Sequence, residues 1–336
     1  MIDLKFRLSV LLFFVQMTFS TFSYADISIR VVDVGPGLCI LSTDEDNNKH
    51  FLYDTGRWNN SLCSDFVNDK VKSELSLVVL SHSDSDHIGN LPKILEKNKT
   101  SLIVHTGYKR RKDAWLNANH AIAMAAKEGA SIVNLSSLPL EYLISSYQVG
   151  DMTIEFIYGK GDWDSASQGN LAENHRRNAI SVVVRLTAYG KSVLFSGDTV
   201  GRHSGDALNE CKFAESEMVN SGKNLRSDVL IAPHHGADNA SSACFLRAIL
   251  PSYIIFSAGH QYKHPRYAAV QRIKQVSQLP DDVFFRTDRG DDEGGLEWDY
   301  ERILGCKDKA GDDDISINID NTGNLSVRYI EPNNQC

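Results

Sequence analysis

At 336 residues the chain has room for one large domain or two smaller ones. Hydrophobic residues at 42% and charged residues at 23% are the proportions of a folded globular protein, which excludes a disordered, collagen-like or multi-span membrane chain. A formal net charge of −8 excludes a globally basic nucleic-acid binder but leaves room for a local basic groove.

The N-terminal residues read first. Lys5 and Arg7 precede an apolar run, Leu8 to Phe19, and Ser23-Tyr24-Ala25 supplies small residues on either side of Tyr24, before a cleavage site after Ala25. That is the pattern of a secretory signal peptide, with an uncleaved membrane anchor as the alternative. The run is short for a membrane span, and no later apolar segment approaches span length. The expected organisation is a signal peptide over 1–25 and one α/β domain over 26–336, periplasmic or secreted, with no integral membrane partner evident. Export permits disulfides. Cys39, Cys63, Cys211, Cys244, Cys306 and Cys336 show no Cys-x-x-Cys spacing, so one or two structural disulfides are expected, and spacing does not choose the pairing. Cys39 sits in an apolar strand and reads equally well as a buried free thiol.

Strand-like and helix-like stretches then alternate. Ile27–Val32, Cys39–Ser42 and His50–Tyr53 read as an antiparallel meander, and Ser76–Leu80 as a buried strand. Asp113–Glu128 is the clearest helix, with Asp113 as its cap and Gly129 as its stop. Strand character returns at Met152–Tyr158, Ala179–Leu186, Ser192–Phe195, Asp228–Ile231 and Tyr253–Phe256, with a helix near Ala240–Leu250. Ile315–Ile319 and Leu325–Tyr329 flank the turn signal Asn321-Thr322-Gly323.

The chemistry concentrates at Ser81-His82-Ser83-Asp84-Ser85-Asp86-His87, directly after the buried strand. Two imidazoles and two carboxylates beside a buried strand are costly without a cation to satisfy them. Imidazole nitrogen with carboxylate oxygen is the ligand set of zinc or manganese in hydrolytic sites. Three later strands also end in ligand-type residues: Ser196-Gly197-Asp198, Pro233-His234-His235-Gly236, and Gly259-His260 followed by His264-Pro265. Together they place ligand types at one edge of a sheet, where open α/β sheets put their sites.

These residues resemble the metallo-β-lactamase superfamily, in particular the hydrolase domain of ComEC-type DNA-uptake proteins and their stand-alone relatives. Val32-Asp33-Val34-Gly35-Pro36-Gly37 is similar to the first-strand motif of that group, Asp54-Thr55-Gly56 to its Asp-Thr-Gly turn, and His82-x-Asp84-x-Asp86-His87 to its signature loop. Gly197-Asp198 and His234-His235-Gly236 are similar to its bridging-aspartate and late-histidine motifs. The resemblance implies a four-layer αββα sandwich holding two divalent metal ions, zinc or manganese. Carried over, His82 and Asp84 hold the first metal, Asp86, His87 and His235 the second, and Asp198 bridges them. His235 is preferred to His234 as the ligand, with the choice left open. Asp54, Asn178 and His175 orient a ligand or contact substrate, and Asp86, His234 and His264 are the candidate catalytic residues. The chain departs from the commoner family pattern at Asp84 and near Asn178, where histidines are usual; the first variant is shared by the ComEC-like group, and the second leaves the first metal position with fewer protein ligands.

The expected activity is that of an exported metal-dependent phosphodiesterase or nuclease. Tyr108-Lys109-Arg110-Arg111-Lys112 and Arg176-Arg177 offer cations for a phosphodiester backbone such as single-stranded DNA. Hydrolysis of a small ester or amide (a phosphorylcholine ester, lactone or β-lactam) and a non-catalytic binding module are the alternatives.

Overall fold

The computed structural model describes residues 26–330. The signal peptide expected over 1–25, and Cys336, lie outside the described residues.

The meander forms as expected. Asp26–Val31, Cys39–Asp44 and Lys49–Thr55 pair antiparallel. Glu74–Leu80 adds parallel to the third of them, and Leu102–His105 and Ser131–Asn134 continue the parallel run. At the opposite edge the hairpin Ile315–Asp320 and Leu325–Tyr329 returns from the far end of the chain to pair with Asp26–Val31. A second sheet begins with Ser146–Val149, Met152–Tyr158, Val183–Ala188 and Lys191–Phe195, all antiparallel. It ends with Val229–Ile231, Tyr253–Phe256 and Phe284–Arg286 in parallel.

Alternation along the strands explains the layering. Phe51, Tyr53, Leu77 and Val79 face Phe156, Val184 and Phe195 of the second sheet in one core. Phe195 meets Phe51 edge-on with centroids 5.6 Å apart, and Tyr53 Oη donates to the carbonyl of Val182 at 2.6 Å. Leu52, Val78 and Leu80 point the other way, under helices Leu62–Lys70, Leu91–Leu95 and Asp113–Lys127. Both faces of Glu74–Leu80 are thus covered, which is why its sequence is a continuous apolar run. Helices Phe213–Asn220, Ala243–Ile249 and Tyr267–Ser277 cover the outer face of the second sheet. The result is the expected four-layer αββα sandwich.

Several local expectations need correction. The strand expected over Ala179–Leu186 runs over Val183–Ala188, and Ala179 closes a helix, Glu173–Ala179. The helix expected near Ala240–Leu250 starts only at Ala243, because the Glu215 carboxylate takes the backbone N–H groups of Ser241 and Ser242 at 2.7 Å. Asp113 begins its helix but makes no capping hydrogen bond; Lys112 stands at the cap position. Cys39 is not a free thiol: it pairs with Cys63, tying the second strand to the first helix, and Cys211 pairs with Cys244.

Candidate metal centre

Four strand ends meet at one edge of the two sheets. The strand Glu74–Leu80 delivers Ser81 to His87, Lys191–Phe195 delivers Asp198, Val229–Ile231 delivers His234 and His235, and Lys49–Thr55 delivers Asp54. Asp54, His234 and His235 all adopt positive φ, so these turns are sharp enough to aim side chains back over the sheet edge.

Asp54 is wholly buried and organises the loop. Its Oδ1 accepts from the Ser81 N–H at 2.7 Å; its Oδ2 accepts from Ser81 Oγ at 2.6 Å and from His87 Nδ1 at 2.7 Å. Ser81 Oγ then has a lone pair for His82 Nδ1, 3.0 Å away. His235 Nδ1 donates to the carbonyl of Ser257 at 2.6 Å. Each of these three rings is thereby held with its proton on Nδ1, the tautomer inferred from the hydrogen-bond partners.

Their Nε2 lone pairs converge. His87 Nε2 lies 3.2 Å from His235 Nε2, and both stand against Asp198 Oδ1, at 3.3 Å and 3.4 Å. His82 Nε2 lies 3.8 Å from Asp198 Oδ2 and 3.9 Å from Asp84 Oδ2, buried and without a hydrogen-bond partner. Ligand atoms held roughly 2.1 Å from a zinc-sized ion in a tetrahedron stand roughly 3.4 Å apart. A shared proton satisfies one such contact and leaves the His82 nitrogen orphaned. A divalent cation satisfies the set, so these residues fit a metal. Two ligand groupings are close enough to hold one: His82, His87 and Asp198; and Asp86, His87 and His235.

Electrostatics follow from the same packing. Burial, with the neighbouring His87, pushes the His82 imidazole down to about 3. Burial opposes ionisation of Asp198, but the rings of His87, His235 and His234 outweigh it and hold that carboxyl well below the usual range. His87 is pulled the other way: the Asp198 and Asp54 carboxylates overcome its burial and raise it.

The position expected for a first metal, at His82 and Asp84, offers fewer free ligand atoms. Asp84 Oδ1 is held by Arg110 Nη1 at 2.7 Å and Arg177 Nε at 2.8 Å, leaving Oδ2 toward His82. Asn178 Nδ2 reaches Asp198 Oδ2 at 3.5 Å and donates to His234 Nε2 at 3.0 Å. His234 Nδ1 in turn donates to Asn239 Oδ1 at 2.8 Å. Both nitrogens of His234 are therefore occupied, whereas His235 presents a bare Nε2. His175 is outside both ligand groupings and lines a cavity of about 490 Å³ with His234, His264 and Arg266. His264 stacks on His235 at 6.2 Å, and burial holds its imidazole well below the ordinary value.

Sequence reasoning did not identify Arg110 and Arg177 as partners of Asp84, nor Ser81, Ser257 and Asn239 as the residues that fix the ring tautomers. The cationic runs were visible; which cation turns inward was not. Gly37 was read only as part of a motif. A side chain there would collide with the Asp86 carbonyl, 2.6 Å from where its Cβ would sit, so the glycine permits the first-strand loop to back the Asp86 turn.

Residues 32–260 match the family described as the metallo-beta-lactamase superfamily. Competence protein ComA of Neisseria gonorrhoeae is 26% identical over 251 residues, 74% of this chain and 29% of ComA. ComE operon protein 3 of Bacillus subtilis is 25% identical over 244 residues, 71% of this chain and 26% of that protein. The chain thus spans less than a third of either relative. The solved metallo-beta-lactamase fold protein YhfI from Bacillus subtilis aligns with 12% identity and a TM-score of 0.44, covering 78% of this chain and 95% of YhfI. The family match runs from the first-strand loop through every ligand position described above, and on that ground the chain belongs to the metallo-β-lactamase superfamily.

Proposed function

We propose that this chain is an exported, metal-dependent hydrolase that cleaves phosphodiesters, with single-stranded DNA as its substrate. The observation that carries the reading is the convergence of His82, His87, His235 and Asp198, whose ring nitrogens and carboxylate oxygens stand 3.2–3.8 Å apart with His82 Nε2 and Asp198 Oδ1 left without a hydrogen-bond partner, flanked by the guanidinium groups of Arg110 and Arg177. The proposed ligands are His82 and Asp84 for a first ion, Asp86, His87 and His235 for a second, and Asp198 between them, the ions being zinc or manganese. Bound there, divalent ions acidify water toward neutrality and neutralise charge developing on a phosphoryl oxygen.

The chain's own residues do the rest. Asp54, Ser81 and the Ser257 carbonyl orient the rings. Arg110 and Arg177 set positive charge beside the carboxylates, where a phosphate would approach. Asp86 is proposed to orient the attacking water. His264, neutral because it is buried, offers an N–H to a non-bridging oxygen, and His234, steered by Asn178 and Asn239, lines the same wall. Beside the 85–89 turn a cavity of about 680 Å³ is lined by Trp58, Lys93, Arg110 and Lys112. An exposed aromatic with interleaved cations suits unstacked bases on a phosphate backbone, and one of the quoted relatives is named as a competence protein. Export is supported by the N-terminal pattern and by the paired cysteines.

The test is cleavage of bis-p-nitrophenyl phosphate and a labelled single-stranded oligonucleotide by full-length protein supplied with manganese or zinc. Turnover that falls at least about a hundredfold in Asp86→Ala supports the reading. Turnover of neither substrate, or turnover indifferent to Asp86→Ala, overturns it; hydrolysis of a lactone, β-lactam or phosphorylcholine ester instead would move the reading to a small-ester or amide hydrolase. One observation favours a second reading, a non-catalytic binding module: Asp84 is claimed by two arginines and Asn178 stands beside Asp198. Metal bound at the centre with no turnover of any of these substrates is its signature.

A further inference from the structure

Residues 287–314 join the strands Phe284–Arg286 and Ile315–Asp320 without helix or strand of their own, and they are rich in carboxylates. Most of these find partners. Asp288 and Glu297 hold Arg286, Asp291 holds His260, Glu301 holds Arg289, and Asp292 accepts from the amides of Gly294 and Gly305.

Asp308, Asp312 and Asp313 do not follow that rule. Asp313 is fully buried, and neither of its oxygens has a hydrogen-bond partner. Neither oxygen of Asp312 has one, nor does Oδ2 of Asp308. Ligand atoms from all three carboxylates lie within 4.8 Å of one another. Burying a carboxylate without donors costs several kcal/mol, and gathering three raises that cost. Their mutual repulsion has the expected sign: burial and the neighbouring Asp308 raise Asp312 to about 6 and Asp313 to about 7. Arg289, whose charge favours ionised Asp313, is already against Glu301 at 3.0 Å.

We propose that Asp308, Asp312 and Asp313 form a second cation site, separate from the His/Asp centre, that takes a hard divalent ion of the calcium class. The donor set is oxygen only, with no imidazole or thiolate, which selects calcium or magnesium over zinc. Calcium fits better, because the ligands sit on an irregular loop and backbone carbonyls and water can complete its larger, more flexible shell. The site has a structural consequence. Asp314, next in the chain, accepts from the Asp33 N–H at 2.8 Å, and the Asp33 carboxylate accepts from the amides of Gly35, Gly311 and Asp312. That first-strand loop continues to Leu38, whose N–H donates to the Asp86 carbonyl at 3.1 Å. A cation at Asp308–Asp313 therefore braces the loop that backs the metal centre.

The experiment is calcium titration of full-length protein whose His/Asp centre is already saturated with manganese, read by calorimetry and by thermal unfolding. One calcium ion per chain is expected, with a rise in Tm of roughly 5 °C at a hundredfold excess over the dissociation constant. The double variant Asp308→Asn, Asp313→Asn should lose both signals while melting no lower than wild type without calcium, since neutral amides relieve the repulsion. Should the double variant fail to fold, Asp312→Asn alone should weaken calcium binding at least tenfold. Asp198→Asn should keep the calcium response, because it alters only the other centre. No calcium heat or Tm shift in the wild type, unchanged affinity in the Asp308/Asp313 and Asp312 variants, or loss of the response in Asp198→Asn would each overturn the proposal.

Discussion

Asp54→Asn exchanges one carboxylate oxygen for an NH2 group and should disable His87 as a metal ligand through the far nitrogen of its ring. Oδ2 of Asp54 accepts from Ser81 Oγ and His87 Nδ1, and Oδ1 accepts from the Ser81 N–H. Asparagine keeps a single oxygen. The Ser81 N–H is a fixed backbone donor, so the oxygen goes there, and the new NH2 group faces His87 Nδ1. His87 then moves its proton to Nε2, where Asp198 Oδ1 waits at 3.3 Å to accept it. The ring has gained a hydrogen bond and lost its lone pair for the metal. The alternative arrangement keeps the ring but sets the NH2 against the buried Ser81 N–H, at a cost of about 1–3 kcal/mol. Either route weakens metal binding by roughly 10–100-fold, or about 1.4–2.7 kcal/mol. The fold itself loses less, because the new bond to Asp198 replaces the one to Asp54. Competition against a chromophoric chelator measures the first quantity and thermal unfolding with chelator present the second. Metal affinity within twofold of wild type in a folded Asp54→Asn variant would refute the tautomer argument.

Further tests address other parts of the molecule. Asn178→His adds an imidazole beside Asp198 Oδ2 and should raise the metal-to-protein ratio measured by mass spectrometry after dialysis; an unchanged ratio would count against a depleted first position. Tyr53→Phe removes the buried 2.6 Å hydrogen bond to the Val182 carbonyl between the sheets and should cost about 1–2 kcal/mol, seen as a lower urea midpoint with unchanged slope. The calcium response should depend on pH. Asp312 and Asp313 bind protons more tightly in the folded chain than the ordinary value of 3.8 allows, held at about 6 and about 7. Without calcium, their contribution therefore favours the folded state at low pH and is lost as pH rises through about 7. Calcium competes with those protons, so its Tm shift should be small at pH 5 and full at pH 8; the opposite trend would contradict the assignment.

The sequence carried the architecture where hydrophobic pattern alone decides it. The meander and the buried strand before Ser81 were legible because their apolar runs have one reading. Helix Glu173–Ala179 was not, since Glu-Asn-His-Arg-Arg-Asn-Ala has no apolar stripe and is placed by what Arg177 and Asn178 reach. The ligand types were legible from residue chemistry at strand ends. Their division of labour was not: the distinction between His234 and His235 rests on Asn178 and Asn239, and the fate of Asp84 on arginines 26 and 93 residues away along the chain. The carboxylates of the 287–314 segment gave no periodic signal, and only the absence of hydrogen-bond partners separates Asp313 from the paired acids of the same segment.

Metal content tests the central claim most directly. Full-length protein dialysed against zinc or manganese and then against metal-free buffer should retain at least one ion per chain, and Asp198→Ala, which removes the carboxylate shared by all the rings, should retain almost none. Wild-type protein that emerges metal-free, or an Asp198→Ala variant that holds as much metal as wild type, would contradict it.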